Sequence, residues 1–109
     1  MSQTQSPYFR INTFAVPSHS REAFLSIITS THEVLRRQQG FVRDLILEQQ
    51  SGPGTNNFVS LIEFSGVEAV PYATAALAAL DQERGISRKE EAAQLGVRSD
   101  MANYRPLPI

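Results

Sequence analysis

Phe58-Val59-Ser60-Leu61-Ile62-Glu63-Phe64-Ser65-Gly66-Val67-Glu68-Ala69 is the stretch on which the fold turns. Over residues 58–64 the side chains alternate, with Phe58, Ile62 and Phe64 on one face and Val59 and Leu61 on the other. That is a strand apolar on both sides. Ser65 and Glu68 then have the spacing of a capping box, in which hydroxyl and carboxylate each satisfy a free backbone donor at a helix start. A strand that needs cover on both faces thus runs straight into a helix.

Upstream, residues 51–57 (Ser-Gly-Pro-Gly-Thr-Asn-Asn) form a turn-rich hairpin connection to an earlier strand, Phe41 to Gln50. Before it, from about His19 to Gln39, the period is helical. At about 100° per residue Phe24, Ile28, Thr31 and Leu35 form one stripe, with Ile27 and Val34 on its flank. Ser18 or Ser20 suits the N-cap, and Gly40 the left-handed stop. Tyr8 to Val16, rich in β-branched and aromatic residues, is the first strand, and residues 1–7 are a polar tail.

Downstream, Pro71 lacks a backbone donor, which predicts a short turn, a kink and a fresh helix from that residue. The alanine-rich run Tyr72 to Leu80 continues it to Gly85. Ser87 and Glu90 make a second capping box for a short helix ending at Gly96, and Val97 to about Leu107 is a fourth strand.

At 109 residues the chain is one domain, spanning residues 8–109 after the tail, able to bury roughly 65% of its unfolded surface. A net charge of -1 gives no electrostatic case for nucleic acid or an anionic membrane. No apolar run reaches the ~18 residues of a membrane span, and no signal-peptide pattern opens the chain, so the expected location is the cytoplasm. Without cysteine there is no thiolate nucleophile, and two histidines thirteen residues apart lack metal-ligand spacing. Gly52-Pro53-Gly54 lacks the lysine and following helix of a phosphate loop.

The order of elements predicts an α+β class, a ferredoxin-like βαββαβ arrangement with helices on one face of a four-stranded antiparallel sheet. The other face is also apolar, so a second copy is expected to cover it. The expected assembly is a homodimer with sheets face to face.

The first strand followed by Pro17, the Gly40-Phe41 pair, the run Phe64 to Ala69 and a closing strand bearing Tyr104 resemble the antibiotic biosynthesis monooxygenase family of the dimeric α+β barrel superfamily. The resemblance spans residues 8–107. It implies a cavity between sheet and helices, a small aromatic substrate, and oxygen chemistry without metal, flavin or other cofactor. Quinone-forming members carry Asn and Trp four residues apart on the third strand, where this chain has Ser60 and Phe64. Haem-degrading relatives pair a first-strand Asn, matched by Asn12, with a histidine on the second helix, and no histidine follows His32.

His32 lies about 40° from Ile28, at the border of the apolar stripe. Pointing inward it is the natural general base, while a border histidine more commonly faces solvent. Asn12 is either a donor to a substrate oxygen or a partner for neighbouring polar groups. His32, Asn12 and Ser60 are the candidate catalytic residues, with Phe64, Tyr72 and Tyr104 as candidate walls. Asp44 and Glu63 are expected to pair with Arg10 or Arg43, structurally. The implied function is a cofactor-independent monooxygenase acting on a phenol, anthrone or hydroquinone. Its rival is a non-catalytic barrel that binds a small apolar ligand.

Overall fold

A computed structural model describes residues 6–109. Residues 1–5 of the expected tail lie outside the described residues. Strand β1 (Tyr8–Ala15) leads through a 3-10 turn into helix α1 (Arg21–Leu35), then strands β2 (Phe41–Glu48) and β3 (Phe58–Phe64). Helices α2 (Val70–Arg84) and α3 (Arg88–Gln94) and strand β4 (Arg98–Tyr104) follow. The sheet is antiparallel with strand order β2-β3-β1-β4, so the ferredoxin-like topology is as expected. No helix among the described residues is long and apolar enough to cross a membrane.

Register decides which side chains meet the helices. On β3, Phe58, Ser60, Ile62 and Phe64 are buried while Val59, Leu61 and Glu63 are partly exposed. Phe14, Asn12, Arg10 and Tyr8 stand opposite the buried four on β1, and therefore share their face. The other face carries Ile11, Leu61 and Leu45 in one row, with Leu45 and Leu47 nearly half exposed. Among the described residues nothing covers that face.

Beneath the helices the core divides into two clusters. Val16, Phe24, Ile28, Phe58 and Val97 form one, and Leu35, Ile62, Phe64, Ala69, Ala73 and Leu77 the other. Helix α1 contributes to both, and between Ile28 and Leu35 its inward positions are Thr31 and His32. A polar band therefore crosses the middle of the core.

The ends of α1 differ from expectation. Ser20 does not cap the helix; its buried hydroxyl donates to the Leu95 carbonyl at 2.6 Å, tying α1 to the segment before β4. The helix closes at Leu35 rather than Gln39, because Arg37 and Gln38 bond three residues back and tighten the chain. Gly40 follows with φ +86, and a methyl there would collide with Ala69. Its carbonyl accepts the Ser65 N–H at 2.8 Å.

Ser65 thus lies just past the end of β3, and the capping box expected at Ser65 and Glu68 does not form. The chain instead turns through a 3-10 segment, Val67–Ala69, before α2 begins with proline in its first turn, as expected. At Ser87 half of the second box forms: Ser87 Oγ accepts the Glu90 N–H at 3.1 Å, while the Glu90 carboxylate accepts from the Ser87 hydroxyl at 3.3 Å rather than from its backbone. Asn57 extends the β1–β3 pairing with its side chain, bonding both the N–H and the carbonyl of Val16.

Candidate active site

Helix α1 delivers His32 inward, where it is 1% exposed. Strand β3 presents Ser60 from below, and Ser60 Oγ lies 2.7 Å from His32 Nε2. Strand β2 supplies Asp44, whose Oδ2 lies 3.0 Å from His32 Nδ1. Arg36, one turn after His32, holds the same carboxylate at 2.8 and 3.3 Å.

The protonation pattern follows from these partners. A carboxylate only accepts, so Nδ1 carries a proton and donates it to Asp44. Burial lowers the pKa of His32, and although the hydrogen bond and charge of Asp44 oppose it, the net direction is downward. The imidazole is then neutral near pH 7, and Nε2 accepts the Ser60 hydroxyl proton. For Asp44 burial acts upward, but the hydrogen bonds from Arg36 and His32 and their charges outweigh it and hold the carboxyl below its usual range. The His32–Asp44 contact is thus a hydrogen bond from neutral imidazole to carboxylate rather than a pair of full charges.

Ser60, His32 and Asn12 line one cavity of about 650 Å³ between the sheet and the helices. Asn12 stands directly opposite Ser60 in the β1–β3 register, and its carboxamide has no hydrogen-bond partner among the described residues. Phe14, Phe24, Ile28, Leu77 and Met101 make much of the wall apolar. Arg10 and Arg88 also line it. Burial, and after it the charge of Arg88, lowers the Arg10 pKa. Arg88 is paired with Asp81 at 3.0 Å, whereas Arg10 has no carboxylate partner among the described residues.

The three expected wall residues lie elsewhere. Phe64 is sealed at the far end of β3 against Ala69, Ala73 and Leu35. Tyr72 is 47% exposed on α2, and Tyr104 pairs with Phe9 on the uncovered face of the sheet. None of them borders the cavity. Glu63 pairs with Arg43 as expected, but Asp44 does not pair with Arg10 or Arg43. An irregularity between Phe41 and Arg43 shifts the phase of β2 and puts Asp44 opposite Ile62, on the helix side. Asp44 and Arg36 are the site residues that sequence reasoning missed. The four-residue spacing of His32 and Arg36 on one helix face was the available signal. Among the described residues no group of three or more His, Asp or Glu side chains is placed to hold a metal ion.

No family model matches the chain, and no curated protein matches its sequence. Solved structures do. A candidate monooxygenase from Shewanella loihica PV-4 superposes with a TM-score of 0.72 at 16% identity, over 98% of this chain and 100% of that one. SnoaB, a cofactor-independent oxygenase from Streptomyces nogalater, gives 0.69 at 21% identity over 95% and 96%. A candidate antibiotic biosynthesis monooxygenase from Nitrosomonas europaea gives 0.69 at 18% over 99% and 97%. Identities this low speak for the shared fold. The likeness is one of fold, over 95–99% of the chain: the α+β architecture expected from the sequence is the one these oxygenase structures share.

Proposed function

We propose that this protein is a cofactor-independent monooxygenase that oxidises an electron-rich aromatic (a phenol, hydroquinone or anthrone) with molecular oxygen. The observation that carries the reading is His32, buried at the cavity wall between Ser60 and Asp44. His32 does not meet substrate directly, because Ser60 occupies Nε2. An acidic C–H or O–H of the substrate gives its proton to Ser60 Oγ as the serine proton passes to Nε2. Asp44 then faces an imidazolium and stabilises it.

For an anthrone the balance is simple. The carbanion left by proton removal transfers one electron to oxygen, and the radical pair combines into a peroxide. The imidazolium returns its proton through Ser60, and the hydroperoxide loses water to leave a carbonyl. One methylene and one oxygen molecule become one carbonyl and one water. In this reading Asn12 is the donor to the substrate oxygen on which charge builds, which its position opposite Ser60 supports. The apolar part of the wall offers the anion a poorly hydrated surface, and the cavity volume is of the size small-molecule sites commonly have. We take the working unit to be a cytoplasmic homodimer, its partner sheet covering the face that bears Ile11, Leu61 and Leu45.

One observation favours a second reading. Both ring nitrogens of His32 are satisfied within the protein, so the same cavity suits a non-catalytic binder of a small apolar ligand. Oxygen uptake by metal-stripped protein over a panel of anthrones, phenols and hydroquinones separates the two. Uptake well above autoxidation supports the enzyme, and tight ligand binding without uptake supports the binder.

A further inference from the structure

We propose that Ser60 is also a nucleophile, and that the cavity hydrolyses carboxylic esters of apolar or aromatic acids through an acyl-Ser60 intermediate. This activity shares the cavity with the oxygen chemistry above but needs no oxidant, so either can fail without the other.

A free serine hydroxyl is a poor nucleophile, and a base within hydrogen-bond reach changes that. Ser60 has such a base at 2.7 Å. The base is itself oriented: Asp44 accepts from Nδ1 at 3.0 Å, which fixes the tautomer with Nε2 free to take the serine proton. Arg36 braces the carboxylate from the other side. Nucleophile, base and orienting acid thus stand in the order that acyl transfer requires.

Acyl transfer also needs a donor for the oxygen that becomes negative. Asn12 is directly opposite Ser60 on the neighbouring strand and the same face. Opposed Cα atoms on antiparallel strands are about 4.5–5.5 Å apart, so a carboxamide there reaches an oxyanion formed at Ser60. Its N–H groups have no competing partner among the described residues. Phe14, Phe24 and Ile28 offer an apolar surface for the acyl group.

In the first step a bond forms between Ser60 Oγ and the ester carbonyl carbon. The carbonyl π pair moves onto oxygen and the serine proton moves to His32 Nε2. Collapse breaks the bond to the alcohol oxygen, which leaves with that proton. Water then attacks acyl-Ser60 in the same sense, releasing the acid and restoring the hydroxyl.

The test uses the whole wild-type protein, with a fluorophosphonate probe and p-nitrophenyl butyrate, followed by intact mass and peptide mapping. The expected result is one phosphonyl adduct per chain on Ser60, and a p-nitrophenolate burst equal to the chain concentration. Ser60→Ala and His32→Ala lose both, while Ser60→Cys, which keeps a nucleophile at the same place, retains acylation. Asn12→Ala lowers ester kcat by about 10²- to 10³-fold with KM little changed. A folded wild-type protein with no adduct, or with the adduct on another residue, overturns the proposal. Oxygen uptake by the same preparation is read in parallel. Uptake without an adduct removes the nucleophile and leaves the oxygenase, and an adduct without uptake does the reverse.

Discussion

Ser60 and His32 are 28 residues apart in the chain, and their side chains meet at 2.7 Å in the gap between two apolar clusters. Both are buried, and they separate the two clusters because Thr31 and His32 interrupt the apolar stripe of α1 where Ser60 interrupts that of β3. Thr31 is satisfied locally, donating to the Ile27 carbonyl at 2.9 Å. His32 has no such local partner and reaches across to two strands. The polar band and the cavity beside it follow from that one mismatch in two otherwise apolar faces.

Protonation of His32 is expected to set the acid side of the stability profile. Burial puts its folded pKa below the unfolded value of about 6.5, so the unfolded chain takes up the proton first. This contribution is complete above about pH 6.5 and is lost as pH falls from there toward the folded pKa, below which it stays constant. Asp44, on β2, and Arg36, the residue just after α1, are the charged groups that face the ring. Asp44 adds a second loss below its ordinary value of 3.8, as pH falls toward its own depressed pKa. Thermal melts between pH 8 and 5 measure the first window. His32→Gln is expected to flatten it, and an unchanged slope in that variant contradicts the assignment.

Asp44→Asn tests the positioning of the base. An asparagine accepts from Nδ1 or, flipped, donates to it, and the flipped form puts the imidazole in the wrong tautomer. The expected loss in kcat is about 10²- to 10⁴-fold, with KM little changed. Because Asp44 raises the His32 pKa against burial, its removal also moves the acid limb of the pH–rate profile to lower pH. A purely structural role for Asp44 predicts lower thermal stability with an unmoved profile.

The framework was legible in the sequence where one signal decided the matter. Alternation in Phe58 to Phe64, Pro71 in the first turn of α2, Gly40 and the Ser87 capping box each had a single reading. Ser20 and Ser65 did not. Each had a plausible local bond as a cap, and neither forms it: the Ser20 hydroxyl bonds Leu95 across the chain, and Ser65 is held through its backbone N–H to Gly40. Asn12 and Ser60 were legible as polar residues among apolar strand neighbours, whereas His32 stood at the border of the apolar stripe, where solvent was the commoner reading, and the fold buries it. Asp44 was hidden by the irregularity at the start of β2, because a phase shift in a strand leaves no mark on its composition. Tyr104 shows the converse: its aromatic ring suggested a wall, while the register with Phe9 turns it to the opposite face.

Asn57→Ala probes how β1 is held at its C-terminal end. The side chain satisfies both backbone groups of Val16 at 2.8 and 3.0 Å, and Val16 belongs to the first core cluster. Leaving these partly buried groups unpaired is expected to cost about 1–3 kcal/mol, which lowers Tm by several degrees. Differential scanning calorimetry reads this directly, and a Tm within about 1 °C of wild type speaks against the bonds.

The uncovered sheet face is expected to pair with a second copy. Light scattering at micromolar concentration is expected to give twice the 12.1 kDa of the chain. Leu45→Lys with Leu47→Lys puts two charges on that face and is expected to shift the mass toward the monomer. A wild-type protein that stays at 12.1 kDa contradicts the pairing.

The most direct test of the central claim is the rate of oxygen consumption by metal-stripped protein with anthrone substrates, wild type against His32→Ala. Wild type is expected to exceed autoxidation, and removal of the base to cost 10²- to 10⁴-fold of the gain, of the order typical of general bases. Ser60→Ala is expected to fall between the two, since water can replace the hydroxyl in the relay with poorer geometry. Uptake in folded His32→Ala equal to that of wild type contradicts the Ser60–His32–Asp44 relay as the source of catalysis.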